Sequence, residues 1–75
     1  MKRCMFVDDS SVIRKVAKRI LSGSNMIIVE AESGAHAIAM CETAMPDIII
    51  VDSLLEDMTT VEFIRRVRQI ESPIK

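Results

Sequence analysis

Three aspartates stand where apolar runs end. Asp8 and Asp9 follow Arg3-Cys4-Met5-Phe6-Val7, and Asp52 ends the segment that starts Asp47-Ile48-Ile49-Ile50-Val51. Adjacent like charges repel, so folding alone does not select the Asp8–Asp9 pair. Chemistry supplies a reason. Carboxylates crowded at one point suit a hard divalent cation, and Mg²⁺ takes carboxylates, carbonyls and water. A carboxylate beside such an ion is also a plausible nucleophile for a phosphoryl group, whose oxygens the metal neutralises. The structural alternative is that Asp8 and Asp9 only cap the next helix and Asp52 only starts a loop, since Asp is a favoured cap. Three acids at two run ends make the chemical reading the stronger.

These side chains meet only if the elements around them bring the run ends together. The runs Arg3–Val7, Met26–Val29 and Asp47–Val51 are short and, in the last two, rich in Ile and Val, as strands are. The third is continuous rather than alternating, as for a strand covered on both faces. Helical spacing fills the gaps. Over 11–21, Val12, Ile13, Val16, Ala17, Ile20 and Leu21 form an apolar side, and Arg14, Lys15, Lys18 and Arg19 a charged one. Asp9 or Ser10 caps its start, and Gly23 stands where it stops. A second, Ala-dominated helix covers 34–43, with Ser33 as its cap and Pro46 barring its extension. A third covers 60–70, and Thr59-Thr60-Val61-Glu62 reads as a capping box. Its expected inward stripe is Val61, Ile64, Val67 and Ile70 with Phe63 beside it, leaving Arg65, Arg66 and Arg68 in water.

The order β-α-β-α-β-α predicts an α/β fold with a parallel sheet and right-handed crossovers. Ligands of such sheets bind beyond the carboxyl ends of the strands. Neighbouring parallel strands lie about 4.8 Å apart. If strands one and three are neighbours, Asp8, Asp9 and Asp52 share one rim.

Composition narrows the possibilities. At 75 residues the chain is one domain, spanning 1–75, and 49% apolar residues suffice for a core. Domains this short bury only about 60% of their unfolded surface, so marginal stability is expected. Phe6 and Phe63 are the only aromatic residues, so the core is aliphatic, with six Met as fillers. A net charge of -1 provides no basic field for nucleic acid or a membrane surface. Apolar runs of four or five residues fall far short of the ~20 of a membrane span. Asp8 and Asp9 interrupt any secretory apolar region, so a cytoplasmic location is expected. Cys4 and Cys41 lack metal or redox spacing and read as buried thiols of a reducing compartment. His36, with no convergent partners in sequence, reads as a solvated surface residue. No phosphate-cradling GxxxxGK or GxGxxG motif is present.

The stretches FVDDSSVIRKVAKRIL, PDIIIVDSLLEDM and VEFIRRVRQ resemble the first strand and helix, the phosphorylation site and the third helix of the receiver domain of two-component response regulators, the chemotaxis regulators among them. The resemblance runs over essentially the whole chain. It implies a flavodoxin-like fold with strand order 2-1-3, which makes strands one and three neighbours. It implies that Asp52 is the phosphoacceptor, receiving its phosphoryl group from a phosphohistidine on a histidine kinase or histidine phosphotransfer protein. Asp9 would ligate Mg²⁺ directly, Asp8 through water or by orienting the site, and the backbone carbonyl of Leu54 would be a further ligand. The phosphodonor would dock on the first helix at Ile13, Arg14, Val16, Ala17, Lys18 and Ile20, with Arg14 and Lys18 at the rim. Such a domain assists its own phosphorylation and acts as a switch, but it is not a turnover enzyme.

Two departures from the family pattern bear on this. Leu55-Glu56-Asp57-Met58-Thr59-Thr60 lacks the proline and both glycines of the common Met-Pro-Gly-Met-Asp-Gly loop. Glu56 and Asp57 add negative charge there, and Glu56 reads as a wet loop residue. The sequence also supplies three of five βα units, with SPIK resembling the lead-in to a fourth strand. The family's Ser or Thr after strand four and its Lys after strand five are not in these residues, and Lys75 is misplaced for that role. Impaired switching is therefore expected. Ile48–Val51 would form an exposed apolar edge, and helix one would lack the cover of a fifth helix. Self-association or a strand-completing partner is the expected consequence.

Two rival functions come from other classes. One is an interaction or dimerisation module of the same fold that works without phosphorylation. Beryllofluoride with Mg²⁺ would perturb Asp52 only in the phosphoacceptor. The other is a metal-dependent phosphohydrolase, which would place a second Asp two residues after the nucleophile, where this chain has Leu54.

Overall fold

A computed structural model describes residues 1–23 and 25–71. Its elements are β1 (Lys2–Val7), α1 (Ser11–Leu21), β2 (Met26–Ala31), α2 (Gly34–Thr43), β3 (Ile48–Val51) and α3 (Thr60–Glu71). The SPIK segment read as a strand lead-in lies outside the described residues. The sheet is parallel with order β2-β1-β3, as expected. Val7 pairs with Ala31 on one side and Val51 on the other, so the three strands end level. The chain therefore leaves the sheet at Asp8 and Asp52 side by side. Among the described residues no helix is long and apolar enough to cross a membrane.

Alternation along β1 sorts the two faces. Met5 and Val7 point to one side and join Ala31, Ala37, Cys41, Phe63 and Val67 in the core under α2 and α3. Phe6 and its neighbour Glu30 point to the other side, where α1 lies. Both cysteines are buried, as read from the sequence.

Helix starts follow local rules. Ser10 caps α1 by accepting from the Ile13 amide at 3.3 Å, and Ser33 caps α2 by accepting from His36 at 3.0 Å. Thr59 caps α3, its Oγ1 accepting from the Glu62 amide at 3.1 Å. Only half of the expected capping box forms. The Glu62 carboxylate turns instead to Arg65 and Arg66, at 3.3 and 2.7 Å. Those arginines draw the Glu62 carboxyl below its ordinary range, chiefly through the Arg66 hydrogen bond. After α1 the left-handed backbone falls at Asn25 (φ 60°), not at Gly23, and Asn tolerates that region better than most residues.

Two helix faces differ from the sequence reading. Phe63 and Val67 are buried and Ile70 packs against them, whereas Val61 and Ile64 are exposed. With Thr59 as cap, positions 63, 67 and 70 share the inward side at i, i+4, i+7 spacing. On α1 no residue is fully buried, and Val12, Ile13, Val16 and Ile20 are exposed. Arg14 occupies the inward side instead. Its Nε donates to Glu30 Oε1 at 3.1 Å and its Nη1 to the Asp8 carbonyl at 2.7 Å. β3 is likewise covered on one face only: Ile49 and Val51 pack toward Phe63, while Ile48 and Ile50 are exposed on the α1 side.

Arg14 thus ties α1 to both neighbouring strands through charge-assisted bonds. Arg14→Ala is expected to cost about 1–2 kcal/mol, because Glu30 keeps partial access to water. Urea denaturation of the two proteins measures this, and an unchanged midpoint would remove the tie from the account.

Candidate functional site

The three aspartates converge. Asp8, Asp9 and Asp52 each offer a carboxylate oxygen, and these oxygens all lie within 4.8 Å of one another. Backbone bonds fix the positions. The Asp8 amide donates to the Ala31 carbonyl at 3.1 Å, continuing the β1–β2 ladder, and the Asp52 amide donates to Val7 at 3.0 Å, continuing the β1–β3 ladder. Asp8 is nearly buried, and its Oδ1 accepts from the Ser10 amide at 2.9 Å. Asp9 is exposed and Asp52 half-buried. One buried, one half-buried and one exposed acid give a pocket with a solvent side. All-oxygen donors of this charge fit a hard cation such as Mg²⁺.

The loop after β3 begins with a tight turn, in which the Leu54 amide donates to Asp52 Oδ1 at 3.2 Å. The Leu54 backbone therefore stays beside the acids while its side chain is 79% exposed. Of the six residues expected to dock a partner, Ile13, Val16, Lys18 and Ile20 are exposed and Ala17 is half-buried. Arg14 is engaged within the domain, and the exposed Lys18 also pairs with Glu30, its Nζ 3.9 Å from Oε2. His36 is exposed, its Nδ1 accepting from the Glu32 amide at 3.3 Å. Glu56 is exposed, as read from the sequence.

Asp57 is the residue whose role sequence reasoning missed. Its Oδ1 accepts from the Gly34 amide at 3.1 Å and its Oδ2 from the Ala35 amide at 2.9 Å. These bonds cap the α2 N-terminus from a distant loop. They hold the Asp57 carboxyl below its ordinary range, the Ala35 amide contributing most, with burial opposing and Arg66 helping. A depressed folded-state pKa means stability that is present above the unfolded value of about 3.9 and lost as pH falls through the folded one. Asp57→Asn is therefore expected to flatten the acid limb of the denaturation midpoint below about pH 4. A midpoint-versus-pH curve identical to wild type would contradict this.

This fold, with a triad of acids at the carboxyl ends of adjacent parallel strands, defines a receiver-type α/β domain. Comparison with known proteins agrees. The model of the family described as response regulator receiver domain matches residues 4–75. The transcriptional regulatory protein KdpE of the KDP operon of Escherichia coli is 36% identical over 69 residues, covering 92% of this chain and 31% of that protein. The chemotaxis protein CheY of Bacillus subtilis is 28% identical over 71 residues, covering 93% of this chain and 59% of that protein. The solved structure of the Vibrio cholerae chemotaxis protein CheY4 superposes with a TM-score of 0.87 at 32% identity, covering 95% of this chain and 59% of that one. The chain belongs to the response regulator receiver domain family. It spans less than two thirds of the length of these relatives.

Proposed function

We propose that this domain takes a phosphoryl group onto Asp52 from a phosphohistidine of a histidine kinase or histidine phosphotransfer protein. The observation that carries the reading is the meeting of Asp8, Asp9 and Asp52, acids 43 and 44 residues apart in the chain, within 4.8 Å. A module that worked without phosphorylation would have no need to keep three mutually repelling carboxylates together. Asp8, Asp9, Asp52 and the Leu54 carbonyl would hold Mg²⁺, which supplies neutralising charge for the phosphoryl oxygens.

The chemistry left to the chain is nucleophilic. An Asp52 carboxylate oxygen forms the new P–O bond as the P–N bond to the donor imidazole breaks. The bonding pair returns to the imidazole nitrogen, which takes a proton. Asp52 is poised for this by its position at the rim, half-buried and braced by the Leu54 amide. The domain is a phosphoacceptor and switch, not a turnover enzyme. The exposed docking candidates Ile13, Val16 and Ile20 offer an apolar surface with Lys18 at its edge.

Incubation with phosphoramidate and Mg²⁺, followed by intact-mass and peptide mass spectrometry, tests the reading. One phosphoryl adduct on Asp52, absent with chelator, is expected. An adduct elsewhere, or none, would overturn it.

The exposed residues on the α1 side, with Ile48 and Ile50 at the β3 edge, also support self-association of the chain. Sedimentation is expected to show a mass that rises with concentration in the micromolar range, and Ile50→Lys is expected to reduce the rise. A monomer at every concentration would count against it.

A further inference from the structure

The loop between β3 and α3, residues 53–59, contains neither proline nor glycine, so it has no proline to pre-set a backbone angle. Its course is set by ties to its surroundings. Near its start, the Leu54 amide is held by Asp52 and the Ser53 carbonyl accepts from Thr60 Oγ1 at 3.4 Å. In its second half it reaches across to another element. Asp57 accepts from both Gly34 and Ala35, the first two amides of α2. Ser33 satisfies the next two, its Oγ accepting from His36 and its carbonyl from Ala37. The Gly34, Ala35 and His36 amides, donors that a helix start ordinarily leaves open, are thus used, two of them by this loop. A carboxylate there also suits the positive end of the helix dipole.

Met58 makes the second contact. A Cβ added to Gly34 would lie 2.8 Å from its Cγ and Sδ and 2.9 Å from its Cε. Only a residue without a side chain lets Met58 lie across the start of α2 in this way. Gly34 is buried and Met58 half-buried, so the contact closes over the helix end.

We infer that Asp57 is a positioning residue: with Met58 seated over Gly34, it pins the β3–α3 loop to α2 and so holds the Leu54 backbone beside the three carboxylates. The inference rests on the metal-binding part of the reading above. Asp57 stands three residues beyond Leu54, and it acts on the ion only through the course of the chain.

The test uses the 75-residue chain, with Mg²⁺ affinity from calorimetry and amide hydrogen exchange from NMR. In wild type, the Gly34 and Ala35 amides are protected and Mg²⁺ binds. Asp57→Ala removes that protection and weakens Mg²⁺ binding roughly tenfold, the low end for groups that orient metal ligands. Glu56→Ala removes an equal charge from the same loop and changes the affinity less than about twofold, as for a screened exposed charge. Gly34→Ala displaces Met58 without changing charge and also weakens binding. Combined with Asp57→Ala it adds little, because both act on one contact. If Asp57→Ala does not fold, Asp57→Asn, which keeps one acceptor oxygen, and Gly34→Ala carry the test. Unprotected Gly34 and Ala35 amides in wild type would overturn the inference. So would wild-type Mg²⁺ affinity in the Asp57 variants, or equal losses from Asp57→Ala and Glu56→Ala. If wild type itself binds no Mg²⁺, the functional reading fails before any variant is compared, and the inference falls with it.

Discussion

Phe63→Ala is expected to leave the chain largely unfolded at room temperature. Phe63 is the largest fully buried side chain and sits among Met5, Val7, Ala37, Cys41 and Val67. Truncating a buried Phe to Ala costs about 3–5 kcal/mol, through lost transfer energy and the cavity left behind. A core of this size rarely supplies more than about 3–5 kcal/mol of net stability. The loss therefore matches the whole. Far-ultraviolet circular dichroism against urea reads the result. Val61→Ala is the control, because Val61 is exposed on the same helix and its truncation should cost less than about 0.5 kcal/mol. Equal effects at the two positions would mean that α3 is rotated relative to the face described above.

Asp52→Asn is expected to stabilise the chain in chelator and to abolish most of the stabilisation that Mg²⁺ gives wild type. Two unit charges within 4.8 Å repel by about 1 kcal/mol in water and several-fold more at the lower effective dielectric of a protein surface. The amide removes one of three charges yet keeps an oxygen to accept from Leu54, so the turn after β3 survives. The urea midpoint with chelator should rise by an amount equivalent to about 1–3 kcal/mol. With saturating Mg²⁺ wild type should gain and the variant much less, since ligand binding to the folded state stabilises by mass action. Midpoints that match in both conditions would show that the carboxylates do not act on one another.

Period and punctuation carried most of the fold. Ile and Val in short runs, helical spacing between them, and Ser33 and Thr59 at the caps locate all six elements to within a residue or two. Which side a helix buries was less legible. The apolar residues of α1 satisfy an amphipathic pattern, yet the sheet beneath them presents Glu30, and Arg14 takes the inward position to meet it. On α3 both Ile64 and Phe63 fit an apolar stripe, and only the cap geometry and the bulk of Phe63 decide the phase.

The site shows the same division. Asp8, Asp9 and Asp52 could be picked out because each ends a strand, where a charge has no packing reason to be. Their adjacency came from the family resemblance, since β1 and β3 are not consecutive and no local pattern pairs them. Asp57 could not be read at all. Its partners are backbone amides 22 and 23 residues away, which any residue type could supply. The one local hint is Gly34 directly after the cap Ser33, a residue of poor helix propensity at a helix start, which Met58 explains.

The most direct measurement of the central claim is paramagnetic broadening of the amide NMR spectrum by Mn²⁺, which takes the same oxygen ligands as Mg²⁺. At substoichiometric Mn²⁺, the amides of Asp8, Asp9, Ser10 and residues 52–54 should broaden first, and excess Mg²⁺ should restore them. Broadening that begins elsewhere, such as around Glu30 and Glu32, or that Mg²⁺ fails to reverse, would show that these three acids do not form a metal site.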